Sequence, residues 1–218
     1  MSGTPQEREQ KRRAKESKGG SLGRELLIIV GVALVLSVFV RTFVAQAFFV
    51  PSSSMEDTLL IQDRILASKI TTEIGGVHRG EIVVFTDPGG WLPDTVPPTG
   101  VSGTIRKALM FVGLLPSDTG EDLVKRVIAV GGDRIACCTA KDQITVNGVA
   151  LDETAYLKPG SQTDQVRFDV LVPAGRVFVM GDNRGDSSDS RFWGPVPREH
   201  IIGRVFGSYW PLNRFGKL

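Results

Sequence analysis

The stretch Val50-Pro51-Ser52-Ser53-Ser54-Met55-Glu56-Asp57-Thr58-Leu59 lies between a long apolar run and the rest of a 218-residue chain. It places three serines between a proline and a methionine, where the hydrophobic segment ends. A serine hydroxyl is a weak nucleophile until a neighbouring base removes its proton. The stretch therefore divides the chain into an apolar segment and a following domain, and a catalytic interpretation of it requires a base elsewhere in the sequence.

The segment before this stretch is long and apolar enough to cross a membrane. Residues 26–40 contain no charge, and after a break at Arg41 the apolar run continues from residue 43 to residue 50. A helix that spans a bilayer needs about 20 such residues, and an arginine near its end can extend its guanidinium to the interface. We therefore predict a transmembrane signal anchor over residues 25–48.

Residues 1–24 carry seven Lys or Arg against three Glu and contain no apolar run. This composition is typical of a disordered, solvated tail. Because basic segments flanking a membrane helix stay in the cytoplasm, we predict a cytoplasmic tail and place residues 49–218 on the outer face. The net charge of the chain is only +2, so no nucleic-acid partner is expected.

A cleaved secretory signal is the alternative to a retained anchor. The tripeptide Ala45-Gln46-Ala47 has the small residues of a cleavage site. Arg41, however, lies between the apolar core and that tripeptide, and cleavage would leave the serines a few residues from a new N-terminus. These features favour the retained anchor.

Beyond the serines, short apolar runs alternate with Gly- and Pro-rich turns, which predicts β-strands joined by tight loops. The predicted strands are residues 64–68, 81–85, 123–130 and 176–180, with a final strand pair over residues 201–210. Asn147-Gly148 predicts a hairpin turn, because this dipeptide readily adopts positive φ angles. The predicted fold is therefore mainly β, an antiparallel-sheet domain behind one N-terminal membrane helix.

Residues 105–115 form a further apolar run that is too short to span a membrane. A run of this composition is usually a core helix, and that interpretation is favoured. The charged pair Arg106 and Lys107 near its start also allows an amphipathic patch that touches lipid. Both interpretations stay open on the sequence alone.

Two residue types could supply the base. His78 and His200 lie in polar loop sequences, where an exposed histidine is more common than a catalytic one, and a Ser/His hydrolase remains an alternative. Lys125 lies in a run that is apolar on both alternating faces, and burial there would lower its pKa towards neutrality. The opposing interpretation is an edge strand with a solvated Lys125, and the pattern does not decide between the two.

Cys137 and Cys138 are the only cysteines. Neighbouring cysteines rarely bridge each other, because the small ring strains the peptide, and their spacing is not that of a metal site. We assign them no role, and we predict neither a metal nor a cofactor.

Three blocks of sequence occur in a specific order. They are Ser52-Ser53-Ser54-Met55, then Lys125-Arg126 before Val-Gly-Gly-Asp, then Gly181-Asp182-Asn183-Arg184-Gly185-Asp186-Ser187-Ser188-Asp189-Ser190-Arg191. Behind a membrane segment, this order resembles the bacterial type I signal peptidases (leader peptidases), a serine–lysine dyad family. Self-cleaving repressor proteins are similar in their Ser/Lys pair and fold, but they lack the anchor and the third block. The resemblance implies a β-rich serine endopeptidase, bound to the bacterial plasma membrane, that removes signal peptides from exported precursors.

The resemblance also implies roles for single residues. Ser54 matches the nucleophile and Lys125 matches the general base. Ser52 matches the hydroxyl that joins the Ser54 N–H in the oxyanion hole. The supporting residues that it implies are Ser187, which orients the lysine, Met55, which packs against it, and Asp189 and Arg191, which hold the third block near the site.

One position departs from the family. Proline usually stands two residues after the methionine, where this chain has Asp57. A carboxylate close to Lys125 would favour the charged amine and oppose a neutral base. We therefore expect Asp57 to face solvent.

The implied partners are signal-peptide-bearing precursors and the lipid bilayer. Because the substrate emerges from lipid, we expect residues 108–115 to lie on the face that carries the site and to enter the interface through Leu109, Phe111 and Leu114. The competing class of protein is a non-catalytic interaction module on the outer surface, in which the serines only cap and turn the chain.

Overall fold

The computed structural model describes residues 23–92, 101–111, 115, 120, 122–161, 163 and 166–217, so all but the last two residues of the predicted basic tail lie outside it. The helices are α1 (residues 23–39), α2 (Ile70–Ile74), α3 (Val101–Phe111) and α4 (Ser190–Trp193). The strands are β1 (Ala45–Phe49), β2 (Arg64–Ser68), β3 (Ile82–Thr86), β4 (Asp122–Val130), β5 (Arg134–Cys137), β6 (Thr145–Val146), β7 (Val149–Ala150), β8 (Phe168–Leu171), β9 (Arg176–Met180), β10 (Val196–Pro197), β11 (Ile201–Trp210) and β12 (Gly216–Lys217).

Helix α1 contains the apolar segment that the sequence predicts as an anchor. With the π-helical turn Val40–Val44 it forms a helix of 22 residues, Gly23–Val44, whose most apolar window has a mean hydropathy of 2.6 and no buried residue. Length and composition suit a membrane span. The helix ends before the predicted boundary at residue 48, because Ala45–Phe49 pair with β2 instead. Apolar composition on both sides of the boundary does not reveal this change from helix to strand, and Phe48 in β1 is 1% exposed in the core.

An eight-stranded antiparallel sheet forms most of the domain and confirms the predicted fold class. Its strand order is β1-β2-β11-β3-β4-β9-β10, with β12 beside β11. The prediction of a strand pair over residues 201–210 was wrong, because β11 is one strand that pairs with β2, β3 and β12. A shift of register between Val205 and Gly207, rather than a turn, accommodates the glycine.

A second sheet of four short strands has the order β7-β6-β5-β8. The turn between β6 and β7 has φ angles of 54° at Asn147 and 81° at Gly148, which confirms the predicted Asn-Gly hairpin. After β5, Cys137 and Cys138 are joined by a disulfide, so the expectation that they stay unbridged was wrong.

Apolar side chains cover the central strands of the large sheet on both faces. On β3, Ile82 and Val84 belong to a first buried cluster, whereas Val83 and Phe85 belong to another. Alternate residues of a strand point to opposite faces, so this division means that both faces are covered. Met55 is part of the first cluster together with Val124 of β4, which links the serine stretch to the core.

Helix α3 is not a core helix, contrary to the interpretation that its composition favoured. Ile105 and Phe111 are 56% and 64% exposed, and Leu115 beyond the helix is 37% exposed. This exposure fits the amphipathic alternative. Leu114, the third residue expected at the interface, lies outside the described residues, and contact with lipid stays a prediction.

Candidate active site

The candidate nucleophile lies on a short buried turn. Ser53–Met55 form one turn of 3-10 helix, in which Ser54 is 6% exposed. The N–H of Val50 donates to Asp63 O (2.9 Å), and the N–H of Gln62 donates to Val50 O (2.9 Å). These bonds hold the start of the turn against the residues that lead into β2, so the turn has little freedom to move.

Lys125 reaches this turn from β4. Its Nζ lies 2.5 Å from Ser54 Oγ, and Lys125 itself is 2% exposed. Burial lowers the pKa of Lys125 from 10.5 to about 8. The nearby carboxylate of Asp189 opposes this shift and the guanidinium of Arg191 adds to it. The lowered pKa brings the neutral amine, the form that can accept a proton, closer to neutral pH.

The position of β4 explains why this lysine is desolvated. The strand lies between β3 and β9, and six consecutive residues, 124–129, are buried. The edge-strand interpretation of Lys125 was therefore wrong. Arg126, the next residue, forms a bidentate ion pair with the buried Asp182, with distances of 2.8 and 2.6 Å. The two cations of β4 thus have different partners, a hydroxyl for Lys125 and a carboxylate for Arg126.

Ser52 lies on the solvent side of the pair. Its Oγ is 3.2 Å from Ser54 Oγ, and its backbone is extended, with a φ of −130°. The Ser52 hydroxyl is therefore next to the hydroxyl that would attack a carbonyl group, and the backbone N–H of Ser54 lies on the same turn. This arrangement suits an oxyanion hole with one side-chain donor and one backbone donor.

The third block folds around a buried ion pair. Arg191 Nε lies 2.9 Å from Asp189 Oδ1, and both side chains are fully buried. Asp189 also accepts from Gly181 N–H (3.1 Å) and Ser187 Oγ (2.7 Å). Arg191 Nη2 donates to Arg184 O (2.7 Å). The pair therefore connects several parts of the block through buried hydrogen bonds.

Ser187 differs from its implied role. Its hydroxyl donates to Asp189 Oδ2, and among the described residues it has no hydrogen bond to Lys125. An ionised carboxylate is a stronger acceptor than an amine that competes for the same proton. Ser187 nevertheless lies at the site, because a Cβ built on Gly181 would come within 2.4 Å of its Oγ and 2.3 Å of Ser54 O.

The block is also joined to the nucleophile turn, which sequence reasoning did not predict. The bonds run from Ser53 Oγ to Asp186, from Thr58 Oγ1 to Asp182 Oδ2 (2.6 Å) and from Asn183 N–H to Ser54 O (3.1 Å). A further loop contributes Lys158, whose Nζ lies 2.5 Å from Glu56 Oε2. These contacts bring together positions more than 100 residues apart. Local sequence patterns carry no signal for such pairs.

Asp57 is exposed, as expected, and is absent from the charges that shift the pKa of Lys125. Its φ angle is 87°, in the left-handed region. Proline holds φ near −65°, so the backbone of this chain differs here from one that carries the usual proline. The departure therefore changes the local turn and leaves the electrostatics of Lys125 unaffected.

The histidines do not reach the nucleophile. The side chain of His78 is 67% exposed and its Nδ1 lies 3.5 Å from Glu81 Oε1. Within the described residues, the hydroxyl of Ser54 contacts Lys125 and Ser52 rather than an imidazole. The geometry therefore does not favour a Ser/His hydrolase. The same residues contain no group of three His, Cys, Asp or Glu that could hold a metal ion.

Comparisons of this sequence with family models and with known proteins agree on one family. Residues 23–210 match the sequence model of "Signal peptidase, peptidase S26". Signal peptidase I of Leptolyngbya laminosa is 34% identical over 99% of this chain and 93% of that protein. Signal peptidase I of Mycobacterium tuberculosis is 36% identical over 88% of this chain and 74% of that protein. A solved signal peptidase I structure from Enterococcus faecalis is 22% identical, with a TM-score of 0.37, and covers 59% of this chain and 95% of that chain. This chain therefore belongs to the signal peptidase family, peptidase S26.

Proposed function

We propose that this chain is a membrane-anchored signal peptidase I that uses Ser54 as its nucleophile and Lys125 as its general base. The observation that carries the proposal is the distance of 2.5 Å between Lys125 Nζ and Ser54 Oγ, at a buried position in β4. The lowered pKa of Lys125 supports it, because a neutral amine is what a serine nucleophile requires.

In the proposed reaction, Lys125 accepts the proton of Ser54 while Oγ attacks the carbonyl carbon of the scissile peptide bond. The negative charge on the carbonyl oxygen is stabilised by the Ser52 hydroxyl and the Ser54 N–H, and loss of one such donor costs about 3 kcal/mol of transition-state stabilisation. The protonated Lys125 then gives its proton to the leaving amine, and an acyl-enzyme remains on Ser54. A water molecule, deprotonated by Lys125, hydrolyses this ester and releases the new carboxylate.

The proposed substrates are precursor proteins that carry a signal peptide. The substrate's membrane-inserted segment and helix Gly23–Val44 would hold both molecules in one plane, which raises the effective concentration of the cleavage site. The proposed organisation is a cytoplasmic tail over residues 1–24, the anchor, and a catalytic domain on the outer face. The position of Ala45-Gln46-Ala47 supports a retained anchor rather than a cleaved signal, because these residues lie in β1 and pair with β2.

Cleavage of a purified signal-bearing precursor by the full chain in detergent micelles tests this function. Ser54→Ala and Lys125→Arg should each abolish cleavage, because one removes the nucleophile and the other introduces a base that stays protonated. The matched control is His78→Ala combined with His200→Ala, which should cleave normally. An active Lys125→Arg variant, or a folded but inactive histidine variant, would show that another residue takes the proton.

Orientation is tested separately. Protease added to intact protoplasts should digest the domain beyond the anchor and spare the N-terminal tail. Protection of the domain would contradict the proposed topology without affecting the proposed chemistry.

A further inference from the structure

A cavity of about 460 Å³ lies between the end of the apolar helix and the first two strands of the large sheet. One wall is formed by residues of the helix that include Leu36 and Val40, and the other by Ala47 of β1 and Leu66 of β2. The lining is mostly apolar, but Arg41 also borders the cavity. The site described above uses none of these residues.

Arg41 lacks a partner for part of its charge. Its Nη1 is inaccessible to solvent and makes no hydrogen bond with any residue that the structure describes. Within the described residues, Arg41 also forms no ion pair. A buried donor that is left unpaired destabilises a structure, and a charged donor does so more strongly than a neutral one. Arg41 therefore lacks an acceptor for one of its donors, and the cavity that it borders is the open space next to it.

Lys69 supplies a second positive charge beside it. The N–H of Lys69 donates to Val44 O (3.0 Å), which places the residue next to the last turn of the helix. The pKa of Lys69 is lowered, first by burial and then by repulsion from Arg41. Lys69 forms no ion pair with any residue in the described part of the chain. Two neighbouring cations that form no ion pair with the described carboxylates favour an anion between them.

We propose that this cavity binds an anionic phospholipid, whose phosphate is held by Arg41 at the wall and attracted by the charge of Lys69 next to that wall, with the start of an acyl chain against the apolar lining. The inference rests on the membrane anchor of the proposed function, because the cavity lies where that helix would leave the bilayer. The apolar walls favour a lipid over a free phosphate ion. A signal peptide would fill the apolar walls but would not neutralise the two cations, so the charges favour the lipid over the peptide.

Native mass spectrometry of the full chain in detergent micelles tests this proposal. The probes are dioleoyl phosphatidylglycerol and dioleoyl phosphatidylcholine, which share their acyl chains and differ in net charge. A cation near a membrane surface contributes enough attraction for about a fivefold preference, so the two together predict about a 30-fold preference for phosphatidylglycerol. Arg41→Gln and Lys69→Gln should each reduce it to about fivefold, and the double variant should abolish it. Arg41→Lys, which keeps the charge, should retain most of it.

Lys141→Gln is the matched control, because it removes an exposed cation of the small-sheet region and should leave the preference unchanged. Equal retention of the two lipids by the unaltered chain would overturn the proposal, as would a double variant that still prefers phosphatidylglycerol. Displacement of the lipid by millimolar inorganic phosphate would reduce the site to an ion site, and displacement by a synthetic signal peptide would assign the cavity to the substrate. Either result would overturn the proposal.

Precursor cleavage is measured on the same samples to keep the two proposals apart. Neither Arg41 nor Lys69 contacts the dyad, so the double variant should cleave in detergent like the unaltered chain. A chain that cleaves without lipid preference contradicts only the lipid site. A chain that selects phosphatidylglycerol and does not cleave contradicts only the proposed function.

Discussion

Replacing Lys125 by methionine should abolish cleavage and stabilise the folded chain at neutral pH. Burial lowers the pKa of Lys125 from 10.5 to about 8. At about 1.4 kcal/mol for each pH unit, burying the charged amine costs the fold about 3 kcal/mol. Methionine has a similar length and no charge, so it removes this cost while it fills nearly the same volume.

The stabilisation should depend on pH in a defined direction. Between about pH 8 and pH 10.5 the unfolded chain binds more protons at this lysine than the folded chain, so the stability of the unaltered chain rises with pH. Below this window both states hold the proton and the whole cost is present. Above it neither does, and the cost is gone. The advantage of Lys125→Met should therefore be about 3 kcal/mol at neutral pH and should disappear towards pH 10.5.

Urea unfolding of the full chain in detergent micelles, followed by tryptophan fluorescence at several pH values, measures this difference. Groups other than Lys125 titrate alike in both proteins, so their contributions cancel when the two free energies are subtracted. Lys141→Met controls for the added methionine at an exposed position and should show no such pH dependence. The inference that the amine of Lys125 is buried with a lowered pKa would be refuted if Lys125→Met were no more stable than the unaltered chain at neutral pH. A stability advantage that stays constant with pH would refute it as well.

Three further predictions concern the same site. The ratio kcat/KM for a precursor peptide should rise with pH and level off above about 8, the pKa of Lys125; a rate that is flat between pH 6 and 9 would contradict a lysine base. Gly181→Ala should reduce kcat about 100-fold, because its Cβ would lie 2.3 Å from Ser54 O and would displace the nucleophile. Its control Gly216→Ala, which meets no atom within 4 Å, should keep full activity, and equal kcat values for the two would disprove the steric argument. Asp57→Pro should lower the free energy of unfolding by about 2 kcal/mol or more, because proline cannot adopt the φ angle of 87° found there. In the same urea-unfolding measurement, Asp57→Gly should stay within about 1 kcal/mol of the unaltered chain. A stable proline variant would show that the turn adopts another conformation.

Local patterns in the sequence were sufficient for features that depend on neighbouring residues. Short apolar runs bounded by turn residues predicted β2 and β9 with the bounds that the structure has, and the Asn-Gly dipeptide predicted the turn between β6 and β7. Uninterrupted hydrophobicity predicted the helix that begins near residue 23. The pairing of Ser54 with Lys125 came from the resemblance of three blocks, since 71 positions separate the two residues.

Tertiary structure alone decided where the apolar runs change role and which polar groups meet. A helix in lipid and a strand in a core are both apolar, so the sequence did not show that β1 begins at Ala45, or that Phe111 of α3 is exposed. Whether Lys125 is solvated depends on β3 and β9 lying on either side of β4, and strand order is a property of the folded sheet. Ser187 could have donated to an amine or to a carboxylate, and the folded loop brings Asp189 within 2.7 Å of its hydroxyl. In each case the deciding contact joins groups that the local pattern does not relate, because side-chain periodicity describes a single element and says nothing about its neighbours in space.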